Sequence, residues 1–103
     1  MELNDYQLKA SSTISDSIRG KDVYFALGLT GESGEVSELI KKNLRDGVLD
    51  LEDLEKELGD VLWYVSQLAL CHNLDLEGVA IRNLAKLQSR KERGKIKGSG
   101  DNR

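Results

Sequence analysis

The chain has 103 residues, a formal net charge of −3, no proline and a single cysteine, Cys71. This length predicts one small domain with a modest core of its own, which oligomerisation would complete. One cysteine excludes an internal disulfide framework and is typical of a reducing cytoplasm. The sequence contains neither a signal-peptide pattern nor a membrane-length apolar run, so we expect a cytoplasmic protein that does not enter a membrane.

Four helices are predicted in chain order, because apolar residues recur at helical spacing between short polar connections. Asn4 or Asp5 would cap the first helix and Asp50 the third, and Gly47 would follow the end of the second. The predicted helices span about residues 3–17, 22–45, 51–72 and 76–92. Such a pattern predicts an all-α, antiparallel four-helix bundle.

The apolar faces of the last two helices predict most of the core. On the third helix this face comprises Leu54, Leu58, Val61, Leu62, Val65, Leu68 and Ala69. On the fourth helix it comprises Leu76, Val79, Ala80, Asn83, Leu84 and Leu87. We assign residues 1–97 to a single helical domain and residues 98–103 to a Gly-rich tail that is ordered only when something binds it.

Charge is divided unevenly along the chain. From Glu32 to Asp60 there are ten acidic and four basic residues, whereas from Arg82 to Arg103 there are eight basic and two acidic ones. The two regions could attract each other, or they could share a ligand that carries phosphates and a divalent metal ion. Nucleic acid is a disfavoured partner, because the net charge is negative and no aromatic residues alternate with the basic ones.

Glu32 lies where the second helix should be apolar. Leu29, Val36 and Leu39 recur at helical spacing, and Glu32 falls within the arc that they define. A carboxylate in this position is costly unless a cation accompanies it. Glu35, one turn later, lies on the same side of the helix.

Two pairs of carboxylates are therefore candidates for a metal site, Glu32 with Glu35 and Glu57 with Asp60. If the two helices pack antiparallel, the pairs converge, and four carboxylates cannot all stay ionised without cations. A ligand set made only of oxygen atoms suits Mg²⁺ or Mn²⁺. The alternative is a solvated acidic face balanced by nearby lysines. Glu38 points further from the apolar arc and is interpreted as a surface residue or as a support for the ligands.

Two further features bear on ligand binding. Trp63 and Tyr64 could stack on a base, although such residues more often belong to a core or an interface. Gly28, Gly31 and Gly34 form a strip that would allow a ligand or another backbone to approach closely, or would mark a kink.

The acidic pairs also carry a resemblance to a known family. "ESGE" at residues 32–35 is followed by twenty-one residues and then by "ELGD" at residues 57–60. Together with their surroundings, "GESGEVSELI" and "KELGDVLWYVSQLAL", they resemble the signature of the MazG-like nucleoside triphosphate pyrophosphohydrolases. "NLAKLQSRKERG" resembles the following helix of that family, and the resemblance covers about residues 22–103.

The resemblance implies Mg²⁺-dependent hydrolysis of an NTP or dNTP to the monophosphate and pyrophosphate, by a homodimer or homotetramer. It gives the catalytic and metal-binding roles to Glu32, Glu35, Glu57 and Asp60. It assigns Lys86 and Arg93 to the phosphates. Arg90 stands where many relatives carry Asn, and an arginine can also reach a phosphate.

We therefore expect an enzyme that removes unwanted nucleotides or controls the dNTP pool. One alternative is a hydrolase of a signalling or modified nucleotide. The other is a non-catalytic helical-bundle interaction module with solvated acids.

Overall fold

A computed structural model describes residues 1–103 as four α-helices and one short 3-10 helix, with no strand. The elements are α1 (Leu3–Ser11), the 3-10 turn (Asp16–Ile18), α2 (Asp22–Asp46), α3 (Leu51–Cys71) and α4 (Leu76–Glu92). The all-α prediction is confirmed, and the bounds of the last three helices agree with it to within a residue. No helix combines the length and the apolar character that crossing a bilayer requires.

The first helix is shorter than predicted and ends at Ser11. The hydroxyls of Ser11, Ser12 and Thr13 each donate to the carbonyl oxygen three residues earlier, at 2.6, 2.7 and 2.7 Å. Hydroxyl side chains that bond to their own backbone in this way compete with helix propagation. The prediction of a helix through residue 17 is therefore wrong, because it weighed apolar spacing above this local competition.

The capping residues predicted for the end of α2 and the start of α3 are confirmed, whereas those predicted for α1 are not. Gly47 ends α2 in the left-handed region with φ 74°, and the Asp50 side chain accepts from two backbone N–H groups at the start of α3. The N-cap of α1 is Glu2, whose backbone N–H donates to the Asp5 carboxylate at 3.0 Å. Neither Asn4 nor Asp5 is the N-cap, so that prediction is wrong.

Polar side chains of α1 hold the connection between α3 and α4. Gln7 is buried, and its amide nitrogen donates to the carbonyl oxygens of Ser66 (2.9 Å) and Leu74 (3.0 Å). Its amide oxygen accepts from the Leu76 N–H at 2.9 Å. Asn4 accepts from the Glu77 N–H at 2.9 Å, within the first turn of α4. The start of α4 is thus fixed by a helix more than 60 residues earlier in the chain.

The most extensive helix contact joins α2 to α3. Asp22 at the start of α2 lies 3.0 Å from the ring of His72, just beyond the end of α3. Further along α2, the Phe25 ring contacts Trp63, with centroids 5.7 Å apart, and Glu32 lies beside Asp60. As residue numbers rise along α2, the residue numbers of the contacted positions on α3 therefore fall. This arrangement brings the two acidic motifs beside each other.

The single chain leaves much of its apolar surface uncovered. Only eight of the 103 residues are buried, and the radius of gyration is 16.3 Å, against about 13 Å for a compact chain of this size. α4 contacts chiefly α1 and α3, and Leu84 on its expected inner face is 67% exposed. Leu58 and Leu62 of α3 are also exposed. Asn83 and Leu87 of the predicted inner face of α4 are exposed as well. No element of the same chain fully covers these five positions.

Candidate active site

Three carboxylates converge between α2 and α3. One oxygen atom from each of Glu32, Glu57 and Asp60 lies within 4.8 Å of the other two. Glu32 and Glu57 are half-buried and Asp60 is exposed. The convergence follows from local structure, because the spacing of three residues puts Glu57 and Asp60 on one face of α3, opposite Glu32.

The cluster is short of positive charge. A hydrogen bond with Glu57 is the largest influence that raises the pKa of Glu32, followed by burial and by the charge of Asp60. Glu57 Oε2 is buried and has no hydrogen-bond partner. Leaving such an atom unpaired costs about 1–3 kcal/mol. A donor set of carboxylate oxygens with one unsatisfied oxygen fits a hard divalent cation such as Mg²⁺ or Mn²⁺.

The other two acids of α2 that the sequence singled out, Glu35 and Glu38, lie outside this cluster. Glu35 is exposed, one turn beyond Glu32 on α2, and it contributes no atom to the three-carboxylate group. Glu38 pairs with Lys41 at 2.9 Å and with Lys42 at 3.9 Å. The hydrogen bond from Lys41 lowers the pKa of the Glu38 carboxyl group. The structure thus places Glu38 in a surface ion-pair group.

Aromatic side chains form one wall of the cleft beside the carboxylates. The cleft has a volume of about 280 Å³ and is lined by Glu32, Asp60, Trp63 and Tyr64. The two rings meet edge to face with centroids 5.0 Å apart. The Trp63 indole N–H donates to Thr13 Oγ1 at 2.9 Å. The indole is therefore held at the edge of the cleft by the segment between α1 and α2.

Gly28 is the member of the glycine strip that contacts another element. Its backbone faces the Tyr64 ring so closely that a Cβ atom would overlap the ring, whereas Gly31 and Gly34 face open space. α2 continues without interruption through all three positions. Burial raises the pKa of Tyr64, and a hydrogen bond that its hydroxyl donates to Tyr24 is the next contribution. Gly28 therefore allows Tyr64 to lie against α2 next to the acids.

The basic residues expected at the phosphates lie elsewhere in the single chain. Lys86 and Arg90 belong to α4 and Arg93 directly follows its last residue, and none of them lines the cleft. Lys86 and Arg90 contact Asp101, and Arg93 donates to the carbonyl oxygen of Arg103. One copy of the chain therefore brings together acids and aromatic rings but no cation.

Comparison with known proteins gives the site its context. The model of the MazG nucleotide pyrophosphohydrolase domain matches residues 24–94, most of the chain. The chain belongs to the MazG family. It is also 50% identical to "Gene 37 protein" of Mycobacterium phage L5, in an alignment of 115 residues that covers all of both proteins. No solved structure matches the chain.

The MazG match contains both acidic motifs, the aromatic wall and the basic residues of α4. Thr13 lies outside it, and sequence reasoning missed its contact with Trp63, since α1 was expected to continue through that position. The closeness of Tyr6 to Asp60, whose charge adds to burial in raising the pKa of Tyr6, was also missed. In the sequence, the only indication of these two contacts was the predicted packing of α1 on the bundle.

Proposed function

We propose that this MazG protein hydrolyses an NTP or dNTP to the monophosphate and pyrophosphate in a Mg²⁺-dependent reaction. The observation that carries the proposal is the convergence of Glu32, Glu57 and Asp60, with an unpaired buried oxygen on Glu57. Two of these acids, Glu32 and Asp60, line a cleft with an aromatic wall. A purely solvated acidic face would not leave a carboxylate oxygen buried and unpartnered.

The acids have two roles at the reacting phosphate, metal binding and proton acceptance. Glu32, Glu57 and Asp60 would hold Mg²⁺, or Mn²⁺ in its place, and Glu35 would complete the ligand set from the next turn. The cation would stabilise the charge that develops on the phosphate and would lower the pKa of the attacking water. Glu35, which is exposed, would alternatively accept a proton from the attacking water.

Binding of the rest of the nucleotide uses the aromatic wall and the basic helix. Trp63 and Tyr64 present ring surface at the cleft, where a base can stack. Lys86, Arg90 and Arg93 would offset the charge of the β and γ phosphates. Because these cations lie outside the cleft of a single chain, we infer that a second copy brings its α4 to the acids.

A homodimer, or a homotetramer built from two dimers, would also close the antiparallel bundle over the exposed leucines. Replacing Leu84, which is 67% exposed, with Glu should place a charge in that interface. We expect Leu84→Glu to sediment as a monomer at concentrations where the wild type is oligomeric. The control Ser17→Glu adds the same charge to an exposed position in the 3-10 turn. Equal sedimentation of Leu84→Glu and the wild type would contradict this interface.

The reaction itself is tested by incubating the protein with a panel of NTPs and dNTPs in Mg²⁺ and identifying the products. We expect pyrophosphate and monophosphate from the wild type, and neither from Glu32→Gln or Asp60→Asn. Orthophosphate in place of pyrophosphate would move the cleavage to the γ position and contradict the proposal. No turnover of any substrate, with melting unchanged by Mg²⁺, would identify the acids as a solvated face of an interaction module.

A further inference from the structure

The segment after α4 folds back along that helix. We call residues 98–103 the strap. Gly94, Gly98 and Gly100 have positive φ values of 67°, 126° and 87°, which glycine adopts without strain. Arg103 then donates from its guanidinium to three backbone carbonyl oxygens, those of Lys95 (3.0 Å), Ile96 (2.9 Å) and Gly100 (2.7 Å). The hydrogen-bond partners of Arg103 therefore all lie in its own chain.

Two arginines at the end of α4, Arg90 in its last turn and Arg93 directly after it, bind the backbone of the strap. Arg90 is only 6% exposed, and it donates to the Asp101 carbonyl oxygen at 2.6 Å and to Asp101 Oδ1 at 3.1 Å. Arg93 donates to the Arg103 carbonyl oxygen at 2.6 Å. Charged donors make strong hydrogen bonds, about twice as strong as neutral ones. These contacts hold the backbone of the strap whether or not the Asp101 side chain is engaged.

The Asp101 carboxylate is attached differently. Its Oδ1 also lies 2.8 Å from Lys86 Nζ, while the side chain is 78% exposed. Hydrogen bonds from Lys86 and then Arg90 lower the pKa of this carboxyl group, so it carries a negative charge at neutral pH. Exposed ion pairs contribute little to stability. A ligand with several negative charges can therefore displace this carboxylate.

We propose that the strap is an autoinhibitory contact in which Asp101 occupies the anion position of Lys86 until a phosphate chain displaces it. The inference rests on the proposed function, which assigns Lys86 to a phosphate. Arg90 keeps its bond to the Asp101 carbonyl oxygen and so holds the strap, while its remaining guanidinium N–H groups are left for the phosphates. The exposed carboxylate is the part that moves. The strap then sets the affinity for the phosphate chain without contacting the reacting acids.

The test measures the binding of inorganic tripolyphosphate to the full chain by calorimetry, at low ionic strength and with no divalent metal. We expect Asp101→Asn to bind tripolyphosphate about three-fold more tightly than the wild type, because the internal competitor has lost its charge. Asp101→Glu keeps a carboxylate that can still pair with Lys86. Its affinity for tripolyphosphate should therefore stay within about two-fold of that of the wild type. Asp16→Asn changes the net charge equally at a carboxylate that is 97% exposed and pairs with Arg19, and should leave the affinity unchanged.

A second variant connects the effect to Lys86. In a Lys86→Gln background, Asp101→Asn should no longer raise the affinity, since the two side chains act through one contact. Binding by Asp101→Asn that is equal to or weaker than that of the wild type would overturn the proposal, as would an equal gain in Asp16→Asn. These measurements involve no turnover, so a failure of the pyrophosphate assay and a failure of the strap proposal remain distinguishable.

Discussion

Glu57→Gln should lower pyrophosphate release by about 100-fold or more while leaving the helices intact, because it removes a charge that would hold the metal ion. Of the three converging acids, Glu57 carries the buried oxygen without a partner. The same change should raise the melting temperature of the metal-free protein, since it relieves repulsion among the three carboxylates. Mg²⁺ should then raise the melting temperature of the wild type but not that of the variant.

The matched control for this prediction is Glu55→Gln, an exposed acid on the same helix that is absent from the three-carboxylate group. It should keep both turnover and the response to Mg²⁺. Pyrophosphate release and melting are measured on the three proteins side by side, with circular dichroism to confirm equal helicity. Full activity in Glu57→Gln, or an equal Mg²⁺ response in all three, would show that the cluster is not the reaction centre.

The acidic cluster could be predicted from the sequence because it depends on local periodicity. A spacing of three residues places Glu57 and Asp60 on one helical face wherever α3 lies. Glu32 lies among the apolar residues of α2, so its side chain is on the side of α2 that packs against another helix. The end of α1 was not predictable in this way, because the hydroxyls of Ser11, Ser12 and Thr13 compete with the helix through bonds that apolar spacing does not report.

The surroundings of α4 depend on long-range contacts. The pattern at Leu84 shows that this face is apolar, but an amphipathic pattern does not specify whether the same chain or a second copy covers it. Arg90 reads as an exposed helical residue in the sequence, yet it is buried because the strap folds over it. That fold-back depends on Gly94, Gly98 and Gly100 together with Arg103, and no single position indicates it.

The two least exposed residues of α3 are polar, and neither belongs to the apolar face that the sequence predicts for this helix. Ser66 and Gln67 are the least exposed residues of this helix, at 0% and 1%. Gln67 donates to the Gln7 carbonyl oxygen at 3.1 Å and to Ser66 Oγ at 3.0 Å. With so few apolar residues buried in one chain, the docking of α1 rests on this hydrogen-bonded group to an unusual degree. Its members should therefore be sensitive to single substitutions.

Gln7→Met should destabilise the protein by about 3 kcal/mol or more, because three buried hydrogen bonds are lost and each unpaired group costs about 1–3 kcal/mol. The groups left without this partner are the carbonyl oxygens of Ser66 and Leu74 and the N–H of Leu76. Methionine has a similar length, so packing volume changes little. Against a total stability of about 5–15 kcal/mol for a domain, this is a large fraction.

The free energy of unfolding is measured by urea titration at a fixed protein concentration, since any oligomer would make it concentration-dependent. Gln88→Met is the matched control, because Gln88 is exposed on α4 and bonds only to Glu92 at 3.1 Å. We expect the control to shift stability by less than about 0.5 kcal/mol. A small and equal shift in both variants would show that α1 is held by packing on the oligomer, and that the polar group around Gln7 contributes little.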